Sequence, residues 1–365
     1  MRIPLFDIKT PLQPFQERLA AAATATLAGG TFILGPEVEA FEREFAEYLG
    51  ARHVVGVANG TDAITIALRA MGVGPGDEVI VPAFTFYASA EAIPPTGARP
   101  VFCDVDPETM MVTPETVKAA LTPATKAVIA VHLFGNVAPV REIEALGVPV
   151  LEDAAQAAGS RGPDGRPGAL GTAATFSFYP TKNLGAMGDG GAIATASDEI
   201  AGLARTLRAH GSRDQSTWQL IGYNSRLDEL QAAFLRILLP ELDGWSEGRA
   251  RAGGFYAAAG LGELVELPEP AEGAVPAWHV YVIRTPAVDA IAATLAEAGI
   301  GAKVYYRPGL HRHPALAPYA QGLELQVTDE LAGRHLAIPI GPTFSQAQAE
   351  QVTASVATVL APRSA

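Results

Sequence analysis

From His53 onward the chain alternates short apolar runs with longer stretches of helical spacing. The runs fall at residues 53–58, 78–81, 100–105, 127–131 and 149–151, with two more at 174–179 and 192–195. The first five are rich in Val and Ile on consecutive positions. A strand with one wet face would alternate apolar and polar residues. Consecutive apolar positions instead suit strands buried on both faces of a parallel sheet, covered by crossover helices. The pattern predicts an α/β fold built on a mostly parallel seven-stranded sheet.

The remaining segments frame that sheet. Residues 15–49 read as helical, interrupted at Gly29-Gly30 and again at 32–36. In their second half Val38, Phe41, Phe45 and Leu49 recur at helical spacing. A long amphipathic helix is expected from Arg226 to about Leu242, with Leu227, Leu230, Ala233, Phe234 and Ile237 on one stripe; Pro240 would bend or end it. Beyond a Pro- and Gly-rich loop at 267–276, residues 278–284 are strand-like and 288–298 helix-like, ending at Gly299. A chain of 365 residues has room for a second unit. The expected division is a large domain over 1–244 and a smaller α/β domain over 245–365.

Composition excludes several classes. At 48% hydrophobic residues, a packed core is expected rather than disorder. A net charge of −13 argues against nucleic acid or an anionic membrane as partner. The one cysteine, Cys103, excludes an internal disulfide framework and a cysteine-built zinc site. The N-terminus lacks a signal-peptide pattern, and no apolar run is long enough to span a bilayer, so a cytoplasmic protein is expected. His311 and His313, with His132, raise metal binding; the intervening arginine and the lack of a nearby acidic partner in sequence speak for a loop instead. Only five of the 26 basic residues are lysines.

One of those lysines carries the chemistry. The stretch from Thr175 to Gly191 runs from an apolar strand into a loop that holds Lys182 and then Gly185, Gly188, Gly190 and Gly191. A lysine amine whose protonated form is disfavoured adds to aldehydes as a Schiff base. Glycines around it let the backbone approach a flat ligand. A second element, Glu152-Asp153-Ala154-Ala155-Gln156, closes a buried strand at the edge where parallel sheets bind ligands. A carboxylate there can keep a pyridine nitrogen protonated, and Asp153 is favoured as the terminal residue; Gln156, a turn further on, can bond a ring hydroxyl. An Asp that merely caps a helix has the same local sequence. Third, Gly60-Thr61 at a helix start offers N–H groups and a hydroxyl to a phosphate, although an ordinary threonine cap reads alike. Fourth, aromatics at 84–87 follow a strand, where one can stack on a ring or simply pack the core. Together the four elements supply every function that pyridoxal 5′-phosphate needs.

In these motifs the chain resembles the sugar aminotransferases of the DegT/StrS type, a branch of the fold type I (aspartate aminotransferase-like) pyridoxal phosphate enzymes. The resemblance covers residues 32–38, 60–63, 77–82, 152–156, 176–183 and 222–227 and extends into the C-terminal domain. It implies that Lys182 holds the cofactor as a Schiff base and shuttles protons, the cofactor alternating with pyridoxamine 5′-phosphate. It implies that Asp153 pairs with the ring nitrogen, Gln156 approaches the ring oxygen and Phe86 stacks on the ring. Gly60, Thr61 and Ser177 would bind the phosphate. Asn224 would reach the phosphate of a neighbouring subunit, which makes the active unit a homodimer with shared sites. Arg226, Tyr306 and His311 would face the substrate.

The implied reaction passes an amine from an amino acid, L-glutamate, to a nucleotide-linked keto sugar in deoxyamino-sugar biosynthesis for antibiotics or polysaccharides. Residues 178–191 and 224–233 look most like members that aminate C3 of dTDP-linked deoxyhexuloses; Asp189 is part of that, since many C4 members carry Glu there. The C-terminal segment departs from the usual His-Tyr-Pro-x-Pro-x-His: Tyr305 replaces the histidine and Arg307 enters the proline-rich turn. Alternatives are the same chemistry at C4 or on a keto-inositol, a related dehydratase, and an inactive regulatory homologue. Dehydratase relatives typically carry histidine where Lys182 stands.

Overall fold

The computed structural model describes residues 2–214 and 216–360. Seven strands form its central sheet: β1 (His53–Val57), β2 (Glu78–Pro82), β3 (Arg99–Cys103), β4 (Thr125–Val131), β5 (Val150–Asp153), β6 (Ala173–Ser177) and β7 (Gly191–Thr195). Their order is β1-β7-β6-β5-β4-β2-β3. Only β7 runs antiparallel to its neighbours, β1 and β6. Each expected apolar run is a strand, displaced at its ends by a few residues. Both faces are buried, which is why the runs do not alternate. Helices Gly60–Ala70 and Asp198–Arg208 pack together on one face. On the other, Phe41 and Phe45 of helix Pro36–Leu49 meet Phe176 and Phe178 edge-on, over Leu235 and Leu238 of helix Glu229–Leu238.

A smaller unit is organised around β8 (Tyr281–Arg284) and β9 (His335–Ile338), an antiparallel pair covered by helices Val288–Glu297 and Gln346–Leu360. The N-terminus belongs to it: Ile3 N–H donates to the Gly299 carbonyl and the Ile3 carbonyl accepts from Gly301 N–H. The expected division at 244/245 falls inside one continuous helix, Leu242–Ala258. The expected strand at 278–284 begins only at Tyr281, because Trp278 holds a left-handed φ of 42°. No helix among the described residues is long and apolar enough to cross a membrane.

The helix expected from Arg226 starts at Glu229. The physical reason is the Glu229 side chain, which is buried and faces the start of another helix. Its carboxylate accepts from the N–H groups of Gly35 (2.8 Å), Glu37 (2.9 Å) and Val38 (2.9 Å). Helix Pro36–Leu49 has no side-chain cap from its own Gly35, so a residue nearly two hundred positions away satisfies its free N–H groups. Of the expected stripe Leu227, Ala233 and Phe234 are buried and Leu230 and Ile237 half-buried; Ala232, Leu235 and Leu238 are buried as well. Pro240 sits in a 3-10 turn, Leu239–Glu241, that joins this helix to the next. Glu229→Ala should lower stability by about 1–3 kcal/mol, because it strands buried donors. A urea unfolding midpoint unchanged from wild type would contradict this.

Candidate active site

The carboxyl ends of β1, β2, β4, β5 and β6 open on one cavity of about 590 Å³, closed on the far side by residues of the smaller unit. At its floor, β1 turns into helix Gly60–Ala70. Asn59, not Thr61, caps that helix: its side chain accepts from Asp62 N–H at 2.8 Å, and its carbonyl accepts from Ala63 N–H. The Gly60 and Thr61 N–H groups and the Thr61 hydroxyl are thereby left to the cavity they line. The floor is drawn tight. A Cβ on Gly60 would lie 2.8 Å from Ser177 Cβ, and one on Gly191 would lie 2.4 Å from the Asn59 carbonyl. Backbone amides and two hydroxyls thus form a cup for an anionic oxygen group.

Alternation along β5 separates the two acids. Glu152 points into the interior, wholly buried. It accepts from Gly168 (3.0 Å), Leu170 (2.9 Å) and Gly171 (2.8 Å) N–H groups and from His132 Nε2 (2.9 Å). His132 Nδ1 accepts from Ala138 N–H, so Nε2 carries the donated proton. Asp153 faces the cavity. The Ser89 hydroxyl donates to its Oδ2 at 2.7 Å and Ala155 N–H to its Oδ1 at 3.2 Å. No helix follows Asp153; the chain goes into turns, so the residue is not a helix cap and Gln156 is not a helical turn away. Gln156 Oε1 accepts from Phe134 N–H at 2.7 Å and its Nε2 donates to the Tyr306 hydroxyl at 2.9 Å. One N–H of the amide remains. Phe134 stacks on Tyr306 at 6.1 Å and 14°. Phe86, 54% exposed, lines the cavity with its ring 6.2 Å from Tyr306.

Lys182 stands in the loop after β6. Its N–H donates to the Tyr179 carbonyl, and Ala186 N–H returns to the Phe178 carbonyl. Gly185 permits that return, since a Cβ there would lie 2.6 Å from the Pro180 carbonyl oxygen. The amine is half-buried against the cavity wall. Burial lowers its pKa to about 8, against the opposing pull of Asp153. Nearby His279 is pushed well below its ordinary value, first by burial and then by Lys182 and Arg249. It is neutral, stacked on Phe6 at 5.6 Å, with Nδ1 unpartnered. Cradle, ring-nitrogen acid, ring-oxygen amide and amine therefore fit pyridoxal phosphate.

Gly60, Thr61, Phe86, Asp153, Gln156, Ser177, Lys182 and Tyr306 come together here. Asn224, Arg226 and His311 do not line the cavity. Asn224 is exposed and its side-chain oxygen accepts from Arg226. His311 is buried beside Asp329, 3.3 Å away, an acid that sequence proximity had not suggested. Among the described residues no group of His, Cys, Asp or Glu has the makings of a metal site. Ser89, Phe6 and Lys303 join the site without any local sequence signal; Tyr305, which replaces the family's histidine, and His279 line it too.

Two outcomes are expected. Capture of pyridoxal phosphate by the apoprotein needs the neutral amine. Its rate should rise about tenfold per pH unit below about 8 and level off above it. A rise continuing to pH 10 in stopped-flow absorbance would contradict the lowered pKa. Gly60→Ala should weaken cofactor retention at least about tenfold, read by absorbance after dialysis, because the new methyl must displace Ser177.

A family model described as the DegT/DnrJ/EryC1/StrS aminotransferase family matches residues 14–357. The chain is 42% identical over 366 residues to a "Pleiotropic regulatory protein" of Geobacillus stearothermophilus, covering 98% of each. It is also 42% identical to the "UDP-N-acetyl-3-dehydro-alpha-D-glucosamine 3-aminotranferase" of Acidithiobacillus ferrooxidans, over 98% of this chain and 97% of that one. Among solved structures, DesV of S. venezuelae in complex with a ketimine intermediate is similar at a TM-score of 0.95, with 40% identity and full coverage of both chains. The chain belongs to the DegT/DnrJ/EryC1/StrS aminotransferase family.

Proposed function

We propose that the protein is a cytoplasmic pyridoxal phosphate-dependent aminotransferase that moves an amine from L-glutamate to C3 of a keto-deoxyhexose carried on a nucleoside diphosphate. The observation that carries this reading is the convergence of Lys182, Asp153 and the Gly60–Thr61–Ser177 cup in one cavity. Pyridoxal phosphate, when bound, supplies an aldehyde carbon for amine exchange and a protonated ring that draws electrons. Lys182 Nζ, with its lowered pKa, would hold the cofactor and serve as the group that moves a proton in the reaction. Asp153, oriented by the Ser89 hydroxyl, would keep the ring nitrogen protonated. Gly60, Thr61 and Ser177 would hold the phosphate, Phe86 would pack on the ring, and the free N–H of Gln156 would be available to the ring oxygen.

The C3 assignment draws on residues 178–191, whose Asp189 lines the cavity, and on the name of the Acidithiobacillus relative. A homodimer explains Asn224 and Arg226, which lie outside their own chain's cavity, and the exposed apolar side chains of Phe32, Ile33, Trp218 and Ile221. The name of the Geobacillus relative favours a second, regulatory reading; the half-buried, pKa-lowered Lys182 favours catalysis.

Holoenzyme mixed with L-glutamate should lose the absorbance of the lysine-bound cofactor, and Lys182→Ala should abolish that response. Silence toward every amino donor would overturn the aminotransferase reading and leave the regulatory one. Product NMR after supply of 3-keto and 4-keto nucleotide sugars tests regiochemistry, and amine found at C4 would overturn C3. Mixing inactive Lys182→Ala and Asn224→Ala chains should restore activity if sites are shared.

A further inference from the structure

Two cations line the cavity, and one of them is spoken for: Lys182 interacts with Asp153. The other is Lys303. Its main chain is fixed on both sides, with its N–H donating to the Ala337 carbonyl at 3.1 Å and its carbonyl accepting from Ala337 N–H at 2.8 Å. Its exposed ammonium lies 5.1 Å from the centre of the Tyr305 ring. An aromatic face holds a cation in place without neutralising it.

Neighbouring guanidinium groups of the smaller unit are occupied. Arg307 pairs with Asp289 at 2.6 Å, Arg312 with Asp329 at 2.6 Å and Glu324 at 2.9 Å, and Arg284 with Glu266 at 3.0 Å. Among the described residues no carboxylate pairs with Lys303. The cavity wall otherwise carries Asp62, Asp153 and Asp189, within a protein of net charge −13. An anionic reactant entering this field is repelled unless a local cation receives it.

We propose that Lys303 is a specificity-determining residue that binds anionic oxygens of a reactant in the outer half of the cavity. The shared chemistry is a phosphate or carboxylate oxygen pair. Its source is the diphosphate of the nucleotide sugar or a carboxylate of the amino donor. The inference rests on the aminotransferase reading above.

The experiment uses holoenzyme carrying Lys303→Met, Lys303→Arg or, as a charge-loss control at the opposite end of β4, Lys126→Met. Calorimetric titration with dTDP and UDP alone reads nucleotide binding at low and high salt. Absorbance on adding L-glutamate reads the donor half-reaction. If the diphosphate is the source, Lys303→Met weakens nucleotide binding about tenfold and flattens its salt dependence, Lys303→Arg keeps most of both, and the glutamate response is unchanged. If the donor carboxylate is the source, the glutamate concentration needed for half response rises about tenfold at an unchanged maximal rate, and nucleotide binding stays as in wild type. Wild-type affinity of Lys303→Met for both ligands overturns the proposal while leaving the aminotransferase reading standing. A wild-type protein that neither binds nucleotide nor responds to glutamate overturns that reading, and the role of Lys303 with it.

Discussion

The buried Glu152 carboxylate is the contact on which the rest of the site depends. It accepts three backbone N–H groups from residues 168–171 and one from His132, so it ties the end of β4, the end of β5 and the loop leading into β6 to one point. A carboxylate removed from water is tolerated only when its lone pairs are filled in this way. Once Glu152 is fixed inward, the pleat of β5 turns Asp153 outward into the cavity. The acid that faces the cavity is therefore positioned by the acid that does not.

Much of the frame was legible from local pattern. Val- and Ile-rich runs marked the first five strands of the sheet, because burial on both faces leaves an unbroken apolar signature; β6 and β7 showed instead as short runs of alanine with Phe176 or Ile193. Lys182, Asp153 and the Gly60–Thr61 turn announced themselves by following such runs. What stayed hidden are contacts with no period along the chain. Ser89 orients Asp153 across 64 positions, and Glu229 caps a helix across 191 to 194. Phe6 comes from an N-terminal segment pinned beside Gly299 and Gly301. Helical spacing also misled at Arg226 and after Asp153, where a side-chain bond or a turn, rather than propensity, sets the local backbone.

The electrostatics of the cavity oppose the charge of the whole molecule. The floor offers an anion only amides and hydroxyls, whose dipoles carry no net charge. The Lys182 amine meets a burial penalty that exceeds the attraction of Asp153, leaving a base that is partly neutral at physiological pH. His279, neutral for the same reason, adds an unpartnered Nδ1 to the wall without adding charge.

The Gln156 side chain holds the Phe134 main chain of the large unit with one end and the Tyr306 hydroxyl of the smaller unit with the other. A planar amide clamped at both ends cannot rotate independently of its anchors. Any slip of one unit against the other must either turn this plane or break one of its two bonds. The single N–H left over therefore acts as a gauge, aimed correctly only when the two units are in register.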